Sequence, residues 1–178
     1  TGAQTLAGNT AADVIIGGTG ADTITGAAGN DSLTGGAGAD TFNYAVGDTG
    51  ITVATADTIT DYTTGVDVIN DTAGAIVIVA NTGGTGSAGV ANISSTGVAT
   101  FNTADDTFAE MLTAIDAAQN ATGAANRSAA VFTFGGNNYL YTGDGAGLAA
   151  ATGYVVQLAG TTIATGITLT GGDITAIA

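Results

Sequence analysis

The stretch that decides the fold covers residues 17–43 and reads GGTGADTIT, GAAGNDSLT and GGAGADTFN, three consecutive units of nine. The preceding unit, GNTAADVII from Gly8, is a degenerate copy. Asp recurs every nine residues, as Asp13, Asp22, Asp31 and Asp40, and a large apolar residue follows two places later, as Ile15, Ile24, Leu33 and Phe42. A flexible glycine-rich linker has no reason to keep these residues in register. The period therefore predicts stacked structural units.

Each unit combines the residue types that a tight loop and a cation require. Glycines at its start permit backbone conformations with positive φ and a close approach of carbonyl oxygens. The three residues after Asp predict a short strand whose middle side chain points inward, and stacking of units then builds a continuous core. Carboxylate and carbonyl oxygens without nitrogen or sulfur ligands favour calcium, which accepts roughly 6–8 oxygens in flexible geometry.

The charge balance excludes several classes of partner. The chain has 178 residues, of which 15 are acidic and only Arg127 is basic, for a net charge of −14. Nucleic acid and anionic membrane surfaces are excluded because almost no positive charge is present to replace their counterions. The chain has no His and no Cys, so zinc and copper sites are not expected. No apolar run is long enough to insert into a membrane.

The pattern GGxGxDxUx, in which U is a large apolar residue, resembles the repeats-in-toxin (RTX) nonapeptide, a calcium-binding repeat. The resemblance implies a right-handed parallel β-roll in which two nonapeptides make one turn. Loops two units apart then stack about one strand spacing, ~4.8 Å, from each other, with calcium between them. It also implies that Asp13 pairs with Asp31 on one flank of the roll, and Asp22 with Asp40 on the other.

The same resemblance implies that backbone carbonyls complete each site. For the pair of Asp22 and Asp40, the carbonyls belong to Gly17, Thr19, Gly36 and Gly38. For the pair of Asp13 and Asp31, they belong to Gly8, Thr10, Ala27 and Gly29. Sites that face the next turn of the roll would use Gly26, Ala28, Gly35 and Ala37.

Residues 39–70 resemble the segment that closes the β-roll in serralysin-type proteases and other type I secreted proteins. In that segment a DTI-x-DF-x-x-G-x-D-x-I pattern follows the last repeat. Here the pattern reads Asp57-Thr-Ile-Thr-Asp61-Tyr62 and then Gly65-Val-Asp67-Val-Ile69, with Tyr62 in place of the more usual Phe. By this analogy Asp57, Asp61 or Asp67 completes calcium sites at the end of the roll. Each could equally be a turn or cap residue.

After residue 72 the glycine loops stop and a β-rich region with one helix is predicted. Short strands are expected at 75–80, 90–94, 98–101, 154–158 and 166–169, and VFTFGGNNYLY at 131–141 predicts a β-hairpin. Thr103 and Asp106 suggest a capping box before a helix near 105–118. The helical spacing of Phe108, Met111, Leu112 and Ile115 predicts a core-facing stripe, whereas Glu110 and Asp116 lie off it and are predicted to be solvated.

The predicted fold class is therefore all-β, a right-handed parallel β-roll with bound calcium that continues into a β-rich part with one α-helix. We expect two domains. Residues 1–72 form the RTX calcium-binding roll with its closing strands, and residues 73–178 form the C-terminal region. FTFGGNNYLY and YVVQLAG are similar to a region that follows RTX repeats in some S-layer and large surface proteins. The ending ITLTGGDITAIA is compatible with a type I secretion signal.

The predicted function is structural rather than enzymatic, because a chain without His and Lys has no zinc-protease motif, Ser-His-Asp triad or P-loop. The near absence of basic residues and the Ala/Thr/Gly bias resemble S-layer proteins, which implies a secreted bacterial surface-layer or matrix protein. Such a domain folds and assembles on extracellular calcium. The alternative is a C-terminal secretion and folding module of an RTX adhesin, protease or toxin whose effector region lies elsewhere. The expected partners are calcium, further copies of the chain in a surface layer or filament, and the type I secretion machinery.

Overall fold

The structure is a computed structural model that describes residues 2–76, 91–102, 104–121, 127–143, 153–163 and 166–177. These ranges contain fourteen strands and one helix. The strands are β1 (Thr5–Ala7), β2 (Val14–Thr19), β3 (Thr23–Thr25), β4 (Ser32–Ala37), β5 (Thr41–Tyr44), β6 (Asp57–Ile59), β7 (Val68–Asp71), β8 (Asn92–Ile93), β9 (Ala99–Thr100), β10 (Ser128–Phe134), β11 (Asn137–Gly143), β12 (Tyr154–Leu158), β13 (Ile167–Thr170) and β14 (Asp173–Ile177). The helix is α1 (Phe108–Ala121). No helix within these ranges is long and apolar enough to cross a bilayer.

The repeats form stacked turns of a parallel β-roll. Strands β1, β3, β5 and β7 pair in parallel in one sheet, sheet A, and β2, β4 and β6 pair in parallel in the other, sheet B. Thr23 lies between Thr5 and Thr41, so each turn advances the register by two nonapeptides. The all-β roll predicted from the period is confirmed.

The third turn of the roll is longer than the first two. Thr41 pairs with Val68, and Ser32 pairs with Thr58. An insertion at residues 45–56 takes the place of a glycine loop. A parallel bridge between Gly29 and Thr49 keeps this insertion stacked on the loop below it.

Both sheets continue beyond the repeats into the C-terminal region. In sheet B, β12 pairs in parallel with β6, and β11 and β10 follow in antiparallel order. In sheet A, β14 pairs with β7 and β13 pairs with β14, both antiparallel. The boundary placed at residue 72 therefore lies inside two continuous sheets, and the division of the chain into two domains stays a prediction.

Two layers of apolar side chains hold these sheets. The first lies between the sheets and includes Ile24, Leu33, Phe42, Ile69, Val131, Val156 and Ile174. The second lies on the outer face of sheet B, where α1 packs against β10 and β11. Alternation along β10 serves both layers, because Ala129 and Val131 face the first while Ala130 and Phe132 face the second.

The helix confirms the predicted core stripe but not the predicted boundaries of 105–118. It begins at Phe108, and its capping box is formed by Thr107 and Glu110. The Thr107 N–H donates to Glu110 Oε2 at 3.1 Å, and the Glu110 N–H donates to Thr107 Oγ1 at 3.3 Å. Thr103 of the predicted capping box lies outside the described residues, and the observed box gives Glu110 a structural role. Glu110 is exposed, as predicted. Asp116, which was predicted to be solvated, is instead buried and accepts a hydrogen bond from the Tyr141 hydroxyl at 3.3 Å.

The other C-terminal elements follow the sequence pattern closely. The hairpin of β10 and β11 turns at Gly135 and Gly136, both with positive φ. The strands at 90–94, 98–101, 154–158 and 166–169 correspond to β8, β9, β12 and β13. Most of the strand predicted at 75–80 lies outside the described residues. Strand β14, in the segment interpreted as a possible secretion signal, was not predicted.

Candidate metal centre

The Asp residues of the repeats stack in two columns, one on each flank of the roll. The first column contains Asp13, Asp31 and Asp57, and the second contains Asp22, Asp40 and Asp67. Each Oδ1 atom accepts the backbone N–H of the Asp one turn earlier in its column. The distances are 2.8 Å for Asp31 to Asp13, 2.8 Å for Asp40 to Asp22, 2.8 Å for Asp57 to Asp31 and 3.0 Å for Asp67 to Asp40.

Asp57 and Asp67 continue the columns although they lie outside the nonapeptide period. The step from Asp31 to Asp57 is 26 residues and that from Asp40 to Asp67 is 27, against 18 in the turns before. Asp57 begins β6 and Asp67 directly precedes β7, and these strands pair in register with β4 and β5, so both residues stack on the aspartates of the turn before despite the longer connection. These two residues therefore occupy third-turn positions equivalent to those of the repeat aspartates.

The second carboxylate oxygen, Oδ2, divides the aspartates of the columns into two groups. Oδ2 of Asp22, Asp31, Asp40 and Asp57 is buried and accepts no hydrogen bond from any described residue. These side chains are at most 1% exposed. A buried carboxylate oxygen without a partner costs several kcal/mol in an apolar surrounding. A bound cation is the partner that would satisfy it.

Glycine makes the space for these oxygens. A methyl group built on Gly17 would lie less than 3.0 Å from Asp22 Oδ2, and the same holds for Gly26 with Asp31 and Gly35 with Asp40. The partnerless Oδ2 atoms of Asp22, Asp31 and Asp40 therefore each face the first glycine of their own unit. Any side chain there would fill the cradle.

The predicted carbonyl ligands lie in segments that stack in the same two columns, and those of the second column begin within β2 and β4. Gly8, Thr10, Gly26, Ala27, Ala28 and Gly29 precede Asp13 and Asp31 in the first column, and Gly17, Thr19, Gly35, Gly36, Ala37 and Gly38 precede Asp22 and Asp40 in the second. The stacking is tight, because a methyl group on Gly36 would collide with the Gly18 carbonyl oxygen. Gly36 has φ +98°, which suits only glycine, yet Ala27 in the equivalent position adopts φ +65°.

Asp13, Asp61 and Asp67 have hydrogen-bond donors on both oxygens. Asp13 is held by its own loop, where the Asn9 N–H donates to Oδ2 at 2.7 Å and Asn9 Nδ2 donates to Oδ1 at 3.0 Å. Asp67 Oδ2 accepts the Thr63 N–H at 2.7 Å. Asp61 lies outside both columns, and its oxygens accept the N–H groups of Gly35 and Gly36 at 2.9 and 2.8 Å. These contacts support the cap alternative for Asp61.

Burial and neighbouring charges oppose ionisation of several carboxylates in the columns. Burial raises the pKa of Asp57 to about 7, and the nearby charges of Asp31 and Asp48 add to the rise. Burial also raises the pKa of Asp31 and of Asp67. A bound cation would stabilise the charged carboxylates and remove this penalty. Asp48, in the insertion at residues 45–56, was not predicted as part of this environment because it has no place in the period.

The sequence prediction also omitted one unit of the repeat. Gln4 stands nine residues before Asp13, and Leu6 follows at the apolar position. Strand β1 pairs with β3, and the Gln4 N–H donates to Asp22 Oδ1 at 2.8 Å, so Gln4 is the first member of the second column. One further step of nine would have found it, but the change of Asp to Gln hid the unit.

No three acidic side chains among the described residues are placed to hold one metal ion together. A site in these columns would combine two carboxylates with backbone carbonyls, as the repeat pattern implied. Residues 7–42 and 16–50 match the family model of the RTX calcium-binding nonapeptide repeat, described as four copies. Residues 7–50 carry RTX repeats. The prediction of calcium as the bound cofactor is confirmed by this match.

None of the curated proteins compared matches this chain. Among solved structures, the chain is similar to the solution structure of a subunit of the mannuronan C5-epimerase from Azotobacter vinelandii. The identity is 23%, the TM-score is 0.23, and the match covers 89% of this chain and 71% of the other.

Proposed function

We propose that this chain is a structural domain of a secreted bacterial surface-layer or matrix protein, and that extracellular calcium folds it. The observation that carries the proposal is the set of four buried Oδ2 atoms without a partner, on Asp22, Asp31, Asp40 and Asp57. An apolar core does not need such atoms, and hydrogen bonds do not satisfy them. They fit a domain whose folded state includes a cation.

Two pairs of carboxylates are the proposed ligands. Asp22 and Asp40 would hold calcium in the second column with the backbone carbonyls of Thr19, Gly36 and Gly38. Asp31 and Asp57 would do so in the first column. Calcium, when bound, supplies positive charge between stacked loops that otherwise repel each other. The glycines keep the cradle open, and the backbone N–H groups on Oδ1 fix the orientation of each carboxylate.

The charge of the chain supports a calcium-dependent switch between unfolded and folded states. At a net charge of −14, self-repulsion and the entropy of glycine oppose folding when calcium is scarce. Extracellular sites bind with Kd of ~10⁻⁴–10⁻³ M, and binding energy becomes folding energy. At calcium ten times above Kd, each site adds about 1.4 kcal/mol. An unfolded chain inside the cell suits export by a type I secretion machinery.

The open edge of sheet B supports self-association at the cell surface. Strand β2 is the last strand of that sheet, and its outward residues Val14 and Ile16 are 76% and 65% exposed. Open edges with apolar side chains favour pairing with another chain. Once calcium has neutralised the loops beside this edge, copies of the domain can approach each other.

A calcium titration followed by circular dichroism and electron microscopy tests the proposal. We expect the strand signal to appear steeply with calcium and to be lost on chelation, and ordered sheets or filaments to form. A strand signal that chelator leaves unchanged would refute calcium-driven folding. A calcium-folded, monodisperse monomer would instead support the secretion and folding module of a larger RTX protein.

A further inference from the structure

We propose that two side-chain amides, those of Gln4 and Asn9, take the place of calcium in the first turn of the roll. The calcium sites then begin at Asp22 and Asp31, and Asp13 is not a ligand. This inference rests on the proposed function, because it concerns where in the columns calcium binds. It replaces the pairing of Asp13 with Asp31 that the repeat pattern implied.

Asn9 closes the first column. It occupies the second position of its unit, where later units have Gly18, Ala27 and Gly36. Its backbone N–H and Nδ2 each donate to one oxygen of Asp13, at 2.7 and 3.0 Å. Its Oδ1 accepts the Ala11 N–H at 2.9 Å, which fixes the orientation of the amide. Both oxygens of Asp13 therefore have donors within one loop.

Gln4 closes the second column by a different arrangement. It stands where the repeat has Asp, so it brings no charge to the stack. Its backbone N–H donates to Asp22 Oδ1 at 2.8 Å, which is the bond that Asp makes in later turns. Its Nε2 donates to the Gly17 carbonyl oxygen at 2.9 Å, one of the oxygens that the repeat pattern assigns to calcium.

The chemical logic is the same on both flanks. An amide NH₂ group places partial positive charge against oxygen atoms that elsewhere in the roll require a cation. A calcium ion needs the same lone pairs and is repelled by hydrogens that point at them. The contrast with the next turn is direct, because Oδ2 of Asp22 and Asp31 is buried and has no hydrogen-bond donor among the described residues. The first turn is thus satisfied without metal, and the following turns are not.

Restoring the repeat sequence at position 9 tests the inference on the full chain. Asn9→Gly removes the side-chain amide, and Ala12→Gly adds the same glycine flexibility to the same loop without touching Asp13. Native mass spectrometry at saturating calcium counts the ions bound. We expect Asn9→Gly to bind one calcium more than the parent chain, and Ala12→Gly to bind the same number as the parent.

A second measurement on the parent chain does not depend on any variant folding. In a crystal structure of the calcium-loaded chain, we expect Asn9 Nδ2 to stay within hydrogen-bond distance of Asp13 Oδ1 and no calcium to lie against Asp13. An unchanged calcium count in Asn9→Gly, or a calcium ion bound to the Asp13 carboxylate in the parent chain, overturns the inference. A parent chain that binds no calcium at all would instead overturn the proposed function.

Discussion

The repeats and the C-terminal region share two sheets, yet they are stabilised in different ways. In the repeats, each unit buries one apolar residue, such as Ile24 or Leu33, between loops that carry buried carboxylates. In the C-terminal region, aromatic rings pack around Phe108, with ring centroids 5.6 Å away for Phe132 and 4.9 Å away for Tyr139. The comparison teaches that a continuous sheet can depend on a cation at one end and on side-chain packing at the other.

The seam between these regions carries the only basic residue of the chain, Arg127. Its guanidinium forms an ion pair with Asp71 at the end of β7, and both side chains are at most 10% exposed. The guanidinium also lies 5.6 Å from the ring centroid of Tyr154, which stacks on Tyr44 of the roll at 5.1 Å. The Arg127 side chain thus neutralises the buried Asp71 carboxylate at the seam, as calcium is proposed to neutralise the carboxylates of the columns.

The largest effect on the calcium dependence of folding is expected from removing two charges of the second column. Asp22→Asn combined with Asp40→Asn keeps an acceptor for each backbone N–H but removes the proposed calcium ligands. We expect the calcium midpoint of folding, measured by circular dichroism, to rise at least about tenfold, equivalent to 1.4 kcal/mol. Asp106→Asn with Asp173→Asn changes the net charge equally and should leave the midpoint near that of the parent. Equal shifts in both double variants would mean that net charge alone controls folding.

Breaking the ion pair at the seam should destabilise the chain even in saturating calcium. Arg127→Met leaves Asp71 buried without its counter-ion, which costs about 3–5 kcal/mol. The free energy of unfolding is measured by urea titration with calcium present. Adding Asp71→Asn should recover part of the loss, because the uncompensated charge is gone. If a higher calcium concentration restored the unfolding free energy of Arg127→Met, the ion pair at the seam would not stabilise the chain independently of the calcium columns.

Replacing one buried leucine in each region allows a direct comparison of the two regions. Leu33 lies in the roll and Leu112 in α1, and both are fully buried. Each change to Ala should cost about 2–5 kcal/mol of unfolding free energy in saturating calcium. Only Leu33→Ala should also raise the calcium midpoint strongly, since Leu33 packs beside the loops of the first column. Similar midpoints in the two variants would show that both regions fold as one unit.

Acidity should favour the calcium-free roll over the calcium-free unfolded chain. The pKa of Asp57 is about 7 in the folded state against an ordinary value of 3.8. The folded chain therefore holds a proton that the unfolded chain releases, and its stability falls as pH rises from about 4 to about 7. With chelator present, the strand signal should be stronger at pH 4.5 than at pH 7.5, and Asp57→Asn should weaken this difference. A strand signal that grows with pH over this window would reverse the predicted sign.

The smallest effect concerns a strained residue in one loop. Ala27 has φ +65° at a position that is glycine in the neighbouring units. Ala27→Gly should raise the free energy of unfolding by about 1 kcal/mol, because a left-handed backbone is unfavourable for residues with a Cβ atom. Ala28→Gly, next to it without positive φ, should lower stability by about 0.5–1 kcal/mol. Urea titration in calcium distinguishes the two, and a loss of stability in Ala27→Gly would show that the strain is absent.

The repeats could be predicted from the sequence because one period specifies loop, strand and carboxylate together. The third-turn residues Asp57 and Asp67 could not be placed by counting, since the insertion makes their steps 26 and 27 residues. Their positions depend on strand pairing, such as that of Thr58 with Ser32. The caps at Gln4 and Asn9 were missed because they depart from the pattern that revealed the rest.

In the C-terminal region, too, the sequence alone did not give the position of one element, the start of α1. The sequence contains two possible capping boxes, Thr103 with Asp106 and Thr107 with Glu110. Both lie at the start of the same apolar stripe. The helix begins after Thr107, where Phe108 packs against Phe132 and Tyr139. Local propensity does not distinguish the two starts, whereas packing against β10 and β11 does.

Anomalous scattering from crystals of the full chain grown in excess calcium tests the central claim most directly. The account predicts a calcium peak between Asp22 and Asp40, another between Asp31 and Asp57, and none at Asp13. A folded roll with no anomalous peak at either pair would contradict it.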